Sequence, residues 1–227
     1  NLMQRILLLL FTITLSLTIL VSCKVEQTPT ELVNVFIGTG GHGHTFPGAT
    51  VPFGMVQLSP DTRIEGWDAC SGYHDSDRTI IGFSHTHLSG TGIGDYGDIL
   101  MMPVVGRKVL ARGEEGVPAS GYRSSFSKSN EKGSPGYYSV ILNDYNIKAE
   151  LTATTRTGFH RYTFPESKES YIIVDLHHTL QNHPNLLLRL TELSDTEIEG
   201  VKITRGWAKY HPVYFYARFS KPFRCTI

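Results

Sequence analysis

Histidine, aspartate and tryptophan crowd one glycine-rich stretch, from Gly38 to Asp98. Five of the ten His residues lie there: His42, His44, His74, His85 and His87. His42 and His44 stand two apart, as do His85 and His87. Such pairs can chelate zinc, with a third ligand from His74 or an Asp. Equally, glycine-flanked His side chains can hydrogen-bond neighbouring loops or a polar ligand. Trp67, between Gly66 and Asp68, offers an indole face on which a sugar can stack, with Asp and His side chains to hold its hydroxyls. The other reading of Trp67 is a buried core residue, and its Gly and Asp neighbours favour an exposed loop. Gly90-Thr91-Gly92-Ile93-Gly94 looks superficially like a phosphate cradle. That fingerprint needs a strand before it and a helix after it. Asp95-Tyr96-Gly97-Asp98 is a poor helix start, and no Lys stands where a Walker loop needs one, so nucleotide binding is set aside. The carboxylates Asp68, Asp75, Asp77, Asp95 and Asp98 show no spacing that marks a catalytic pair.

Glycine lets the backbone approach a ligand closely and adopt left-handed conformations, so this stretch reads as one wall of a ligand site. The elements that must position it are strands. Residues 32–37 form a short apolar run, expected as a strand. Residues 50–60 alternate near their end, as a half-buried strand does. Residues 61–63 are expected as a turn, residues 79–85 as a strand, and residues 98–105 as a strongly apolar strand. Residues 111–135 are polar and read as a surface loop. Beyond them, residues 137–142, 147–155, 157–164, 170–176, 196–205 and 213–219 are strand-like, separated by turn signals. Residues 186–193 fit a short helix or a strand. Short strands at near-regular spacing predict an all-β antiparallel sandwich.

The 227 residues carry 21 Lys+Arg against 21 Asp+Glu. That balance excludes the basic stripe of a nucleic-acid binder. Abundant Gly, Tyr and Phe favour a β-rich fold over a helical bundle. At the front, Met3 reads as the start, Arg5 as a positive n-region and residues 6–21 as an apolar run shorter than a spanning helix needs. Residues 1–22 are therefore expected as a signal peptide. Leu20-Val21-Ser22-Cys23 resembles a bacterial lipobox, which makes Cys23 the expected lipid-attachment residue and 23–31 a tether. Lipidation implies an exported protein, periplasmic or on the surface of a Gram-negative cell, held to the membrane by its lipid. Cys70 and Cys225 are expected as free thiols.

Several motifs in order resemble the N-terminal domain of family 92 glycoside hydrolases. They are Val33-Asn34-Val35-Phe36-Ile37-Gly38-Thr39, His42-Gly43-His44-Thr45-Phe46-Pro47-Gly48-Ala49, Pro52-Phe53-Gly54-Met55, Gly66-Trp67-Asp68 with Ser71-Gly72-Tyr73-His74, and Gly82-Phe83-Ser84-His85-Thr86-His87-Leu88-Ser89-Gly90-Thr91-Gly92. Gly136-Tyr137-Tyr138 and Thr157-Gly158-Phe159-His160-Arg161-Tyr162 fit as well. The resemblance spans residues 32–223. It implies a calcium-dependent, inverting exo-α-mannosidase, of α-1,2 preference, in which the sandwich packs on a C-terminal (α/α)6 barrel. Inversion uses one carboxylic acid and one carboxylate that activates water. By resemblance the acid, the base and most calcium ligands belong to that helical domain, which these residues do not include. The sandwich then supplies pocket residues for mannose-containing glycans: Trp67 and Asp68 first, then His87 and Asp95, then His42 and His44. None of these is expected to be a catalytic proton carrier.

On this reading residues 224–227 are a truncated end, and the chain alone is expected not to hydrolyse mannosides. Two alternatives stand beside it. One is a free-standing carbohydrate-binding lipoprotein, marked by mannoside affinity of the chain alone. The other is a metal-dependent hydrolase using the His pairs, marked by its metal content.

Overall fold

Short apolar runs, some alternating with polar residues and some buried throughout, build the strands of this protein. In the computed structural model, residues 2–9, 11, 27–106, 108–117 and 120–226 are described. They fall into two compact units, within 1–32 and within 33–227. In the first, residues 2–9 and 11 are helical, and the Glu31 carboxylate accepts the Thr28 backbone N–H at 2.7 Å. Among the described residues no helix is long and apolar enough to cross a membrane. Cys23 and much of the expected signal peptide and tether lie outside the described residues.

The second unit is all antiparallel. Its strands are β1 (Ala49–Thr50), β2 (Gln57–Asp61), β3 (Thr79–Ile80), β4 (Gly82–Ser84), β5 (Leu100–Val105), β6 (Ser124–Ser125) and β7 (Lys132–Ser134), then β8 (Tyr137–Leu142), β9 (Ile147–Ala153), β10 (Gly158–Thr163), β11 (Ser170–Asp175), β12 (Asn185–Ser194), β13 (Glu197–Thr204) and β14 (His211–Arg218). One sheet has the order β1-β2-β4-β5-β11 and another β10-β9-β8-β7. Leu58, Phe83, Leu100 and Met102 of the first sheet and Tyr138, Val140, Ile147, Ala149 and Leu151 of the second share one core. On β9, Ile147, Ala149 and Leu151 are buried while Lys148 and Thr152 are exposed, the period of two that puts one face inward. Each large apolar side chain so buried contributes about 1.5–3 kcal/mol.

A third sheet, β12-β13-β14, has its own small core. There Val213, Leu176 and Ile99 are buried against Leu188, Leu190 and Phe215. β3 and β6 pair as a two-stranded ribbon.

The strands of the second half stand where the alternation put them. Residues 186–193 belong to strand β12, not to a helix: pairing with β13 decides what eight apolar-rich residues could not. Residues 32–37 are turns rather than a strand. The Asn34 side chain accepts the Phe36 N–H at 3.0 Å and the Ile37 N–H bonds the Asn34 carbonyl, which closes the backbone on itself. Asp61 is not in a turn but ends β2, fully buried. Residues 79–85 split at Ile81, whose N–H bonds the Asp61 carbonyl, so the two halves join different sheets. The stretch 111–135 is less loop-like than expected: Tyr122 and Phe126 are buried, and β6 and β7 lie within it. Cys70 and Cys225 are both free, Cys70 buried.

Candidate ligand-binding site

His42, His44 and Asp68 converge. The His42 Nδ1–H donates to Asp68 Oδ1 at 2.7 Å, and His44 Nε2 lies 3.3 Å from the same oxygen. The local chain geometry forces this. Gly43 packs so tightly that a Cβ there would sit 2.0 Å from the Gly38 carbonyl. The next residue, His44, takes a left-handed φ of 53° that non-glycine residues rarely adopt. Its carbonyl accepts the Gly90 N–H at 2.7 Å, and the His74 Nε2–H donates to the Gly41 carbonyl at 3.1 Å. Asp68 comes from the 3₁₀ turn Trp67–Ala69, opened by Gly66 at φ 90°.

Trp67 is 60% exposed, which settles its reading as a surface residue. Its ring meets the His44 imidazole edge-on at 5.0 Å. It also lies over Gly92, where a Cβ would be 2.4 Å from Cη2. An aromatic face, a carboxylate and the His42 imidazole thus stand on one exposed corner, with the His44 ring buried beneath them; such groups suit a polar ring-shaped ligand. The His42 and His44 hydrogen bonds hold the Asp68 carboxyl below its usual range, so it presents charge.

The other site candidates lie deeper. The His87 side chain is fully buried. Its Nδ1–H donates to the Gln57 carbonyl at 2.7 Å and its Nε2 faces Asp61 Oδ1 at 2.7 Å, so both nitrogens meet acceptors. His178 Nε2 takes the other Asp61 oxygen at 2.7 Å. Burial alone would push the Asp61 carboxyl up, but the two imidazoles hold it well below the carboxylate range. Asp95 is buried too. Its Oδ2 accepts the Trp207 N–H at 2.9 Å, and Gly206 packs so close that a Cβ would clash with Oδ1. Asp95 therefore anchors the loop that carries the exposed Trp207.

Sequence reasoning missed two partners in this layer. Lys202, on β13, is fully buried with Nζ 3.0 Å from Asp98 Oδ1, and it also donates to the His178 carbonyl. His211 Nε2 faces Asp98 Oδ2 at 3.3 Å, and Asp98 raises the His211 pKa. Burial works against the Asp98 charge, but His211 and Lys202 hold its carboxyl at about 2. The only signal in the sequence was a Lys between the apolar Val201 and Ile203 of a strand.

His85 and His87 do not form a chelating pair. The strand ends at Ser84, so the same-face rule for residues two apart does not hold here, and the two rings find different partners, His87 bonding Gln57 and Asp61. The His85 Nδ1–H donates to the Ile99 carbonyl at 2.6 Å, and His85 Nε2 lies 2.9 Å from His160 Nε2. His160 Nδ1 lies 2.7 Å from the Tyr162 hydroxyl. One assignment satisfies all three: Tyr162 O–H to His160 Nδ1, His160 Nε2–H to His85 Nε2, His85 Nδ1–H to Ile99. It keeps both rings neutral, and burial pushes His85 down to about 4 and His160 well below its ordinary value. Among the described residues, the group that converges with a His pair is Asp68, which meets His42 and His44, and not His74.

Calcium takes six to eight oxygen ligands. The His42–His44–Asp68 cluster offers two imidazole nitrogens and one carboxylate, and does not fit it.

The sequence model of the glycosyl hydrolase family 92 N-terminal domain matches residues 32–226, and the chain belongs to this family. A family GH92 alpha-mannosidase from Bacteroides thetaiotaomicron, solved in complex with mannoimidazole, superposes with a TM-score of 0.83 at 46% identity, over 85% of this chain and 25% of that one. A family GH92 inverting mannosidase from the same species superposes with a TM-score of 0.58 at 28% identity, over 78% of this chain and 23% of that one. An uncharacterized secreted glycosidase of Arthroderma benhamiae is 29% identical, over 78% of this chain and 24% of that protein. The chain thus spans about a quarter of the length of these relatives. The fold is that of the family's N-terminal β-sandwich.

Proposed function

We propose that this chain is the pocket-contributing N-terminal part of an inverting exo-α-mannosidase, of α-1,2 preference, acting on mannose-containing glycans. The observation that carries it is the corner formed by exposed Trp67, its edge-on partner His44, and Asp68 bridging His44 to His42. Trp67 stacks on a sugar face, while Asp68, His42 and His44 take its hydroxyls. His87 and Asp95 act from behind: buried, they hold the loops that shape the wall. The mannoimidazole complex of the 46%-identical relative supports a mannose-like ligand for the family.

On this reading the general acid, the general base and the calcium ligands come from an (α/α)6 domain outside these 227 residues. On the same reading Cys23 carries the lipid that holds the exported protein at a Gram-negative membrane; the secreted glycosidase of Arthroderma benhamiae supports export. The test is calorimetric titration of mannoimidazole into the full chain and into Trp67→Ala, with turnover of α-1,2-mannobiose assayed alongside. Weak binding lost in the variant, with no turnover, is expected. Turnover by the chain alone, or binding indifferent to Trp67, overturns the assignment.

A further inference from the structure

The cluster that rejects calcium has the donor set of a different ion. We infer that His42, His44 and Asp68 form a site for a divalent first-row transition metal, Zn²⁺ foremost, held by two imidazoles and one carboxylate with a coordination position left open.

Two imidazole nitrogens and a carboxylate oxygen suit zinc and its neighbours, whereas Mg²⁺ and Ca²⁺ select all-oxygen sets. Zn²⁺ binds nitrogen and oxygen ligands at about 2.0–2.2 Å, which sets tetrahedral ligand atoms about 3.3 Å apart. His44 Nε2 and Asp68 Oδ1 already stand at 3.3 Å. His42 Nδ1 stands at 2.7 Å from the same oxygen, and all three ligand atoms lie within 4.8 Å of one another. Insertion of the ion thus asks His42 to withdraw by about 0.6 Å. The His42 side chain is 77% exposed and free to do so, while His44, at 5%, is held.

The proton balance is simple. A ligating nitrogen must present its lone pair, so the proton on His42 Nδ1 moves through solvent to Nε2, and His44 likewise carries its proton on Nδ1. Asp68 offers the carboxylate oxygen that already faces both imidazoles. The chain also supplies rigidity. His44 keeps its left-handed backbone because Gly43 lies against Gly38 and because the Gly90 N–H and the His74 ring clamp the loop from both sides. Among the described residues, this is the set of three His, Cys, Asp or Glu ligand atoms that converges in this way.

Three protein ligands are the pattern of an open site rather than a closed structural one. The open position takes water, or an oxygen of a hydroxyl-bearing ligand brought in beside Trp67. The site uses residues also assigned to the mannoside wall, but it does not rest on that assignment, since metal binding is read with no sugar present.

The experiment is a Co²⁺ titration of the full chain followed by visible d–d absorption, with Zn²⁺ and then Ca²⁺ as competitors. One Co²⁺ per chain is expected, displaced by Zn²⁺ and not by Ca²⁺. His42→Ala and Asp68→Asn each weaken binding about tenfold or more, the range for loss of metal-site partners. His177→Ala, at an exposed position away from the cluster, leaves it unchanged. The exposure of His42 lets the His42→Ala variant fold, which a thermal melt checks. Absence of stoichiometric Co²⁺ in the parent chain overturns the site. So does binding that survives both His42→Ala and Asp68→Asn. Neither result bears on mannoimidazole binding.

Discussion

Asp61 Oδ1 and His87 Nε2 stand 2.7 Å apart with both side chains fully buried. The second Asp61 oxygen holds His178 at the same distance, so one carboxylate at the end of β2 ties together residues from three parts of the chain. Gly72 makes room for it: a Cβ there would sit 2.1 Å from Asp61 Oδ1. Removing Asp61 leaves the two buried imidazole nitrogens without their acceptor, at about 1–3 kcal/mol for each buried polar group left unpaired. Asp61→Ala is therefore expected to destabilise the chain by that order. Urea denaturation of parent and variant measures it, and a change below about 1 kcal/mol would mean that the network is not closed as described.

The neutral His85–His160 pair predicts acid sensitivity. An unfolded His takes up a proton near pH 6.5, whereas folded His85 stays neutral down to about 4. Between these values the unfolded chain binds more protons, so stability falls as pH is lowered from about 6.5 to about 4. Asp98 and Asp61 extend the loss. Their folded pKa values are depressed, so their contribution is present above about pH 4 and disappears as pH falls through about 2 for Asp98. A urea midpoint that stays flat from pH 7 to pH 4 contradicts the neutral pair.

Trp67→Ala separates binding from folding. The ring is exposed, so the melting temperature is expected to change little. Loss of a stacked aromatic is expected to weaken mannoside binding about tenfold, which is about 1.4 kcal/mol. Calorimetry with paired melting curves reads both. A large drop in melting temperature would show Trp67 acting as a packing residue instead.

Gly43→Ala tests the loop. Its Cβ would land 2.0 Å from the Gly38 carbonyl, which is backbone and cannot swing away. The expected cost is about 1–3 kcal/mol, as for other forced overpacking. The His42–Asp68 contact should be lost with it, visible as changed His42 ring chemical shifts by NMR. Unperturbed shifts would show that the loop tolerates the methyl.

The sheets were legible because short apolar or alternating runs stand between turn signals. β9, β10 and β14 carry a period of two, while β8, β11 and β13 announce themselves by apolar, β-branched and aromatic residues. β12 does neither, because leucines at consecutive positions 186–188 erase the period, and pairing with β13 had to decide it. Residues 32–37 misled because they are apolar, yet the Asn34 side chain closes a turn and leaves Ile37 exposed. At the site, Trp67, Asp68, His42 and His44 stood out by type and by their glycine neighbours. Asp61, Lys202 and His178 did not, since a buried charge is recognised only by the partner that neutralises it.

By itself the sequence determined the all-β class, the family, and the glycine-rich stretch from which a site is built, because each is carried by local spacing and residue type. Only the tertiary structure decided which histidines act together. His42 and His44 meet Asp68 across 24–26 residues, while His85 and His87, equally spaced in the chain, part to opposite partners. A spacing of two sends both rings to one face only when the backbone between them is extended and regular. The left-handed turn at His44 and the strand end at Ser84 break that rule in different ways, and the fold, not the spacing, chooses which carboxylate each ring finds.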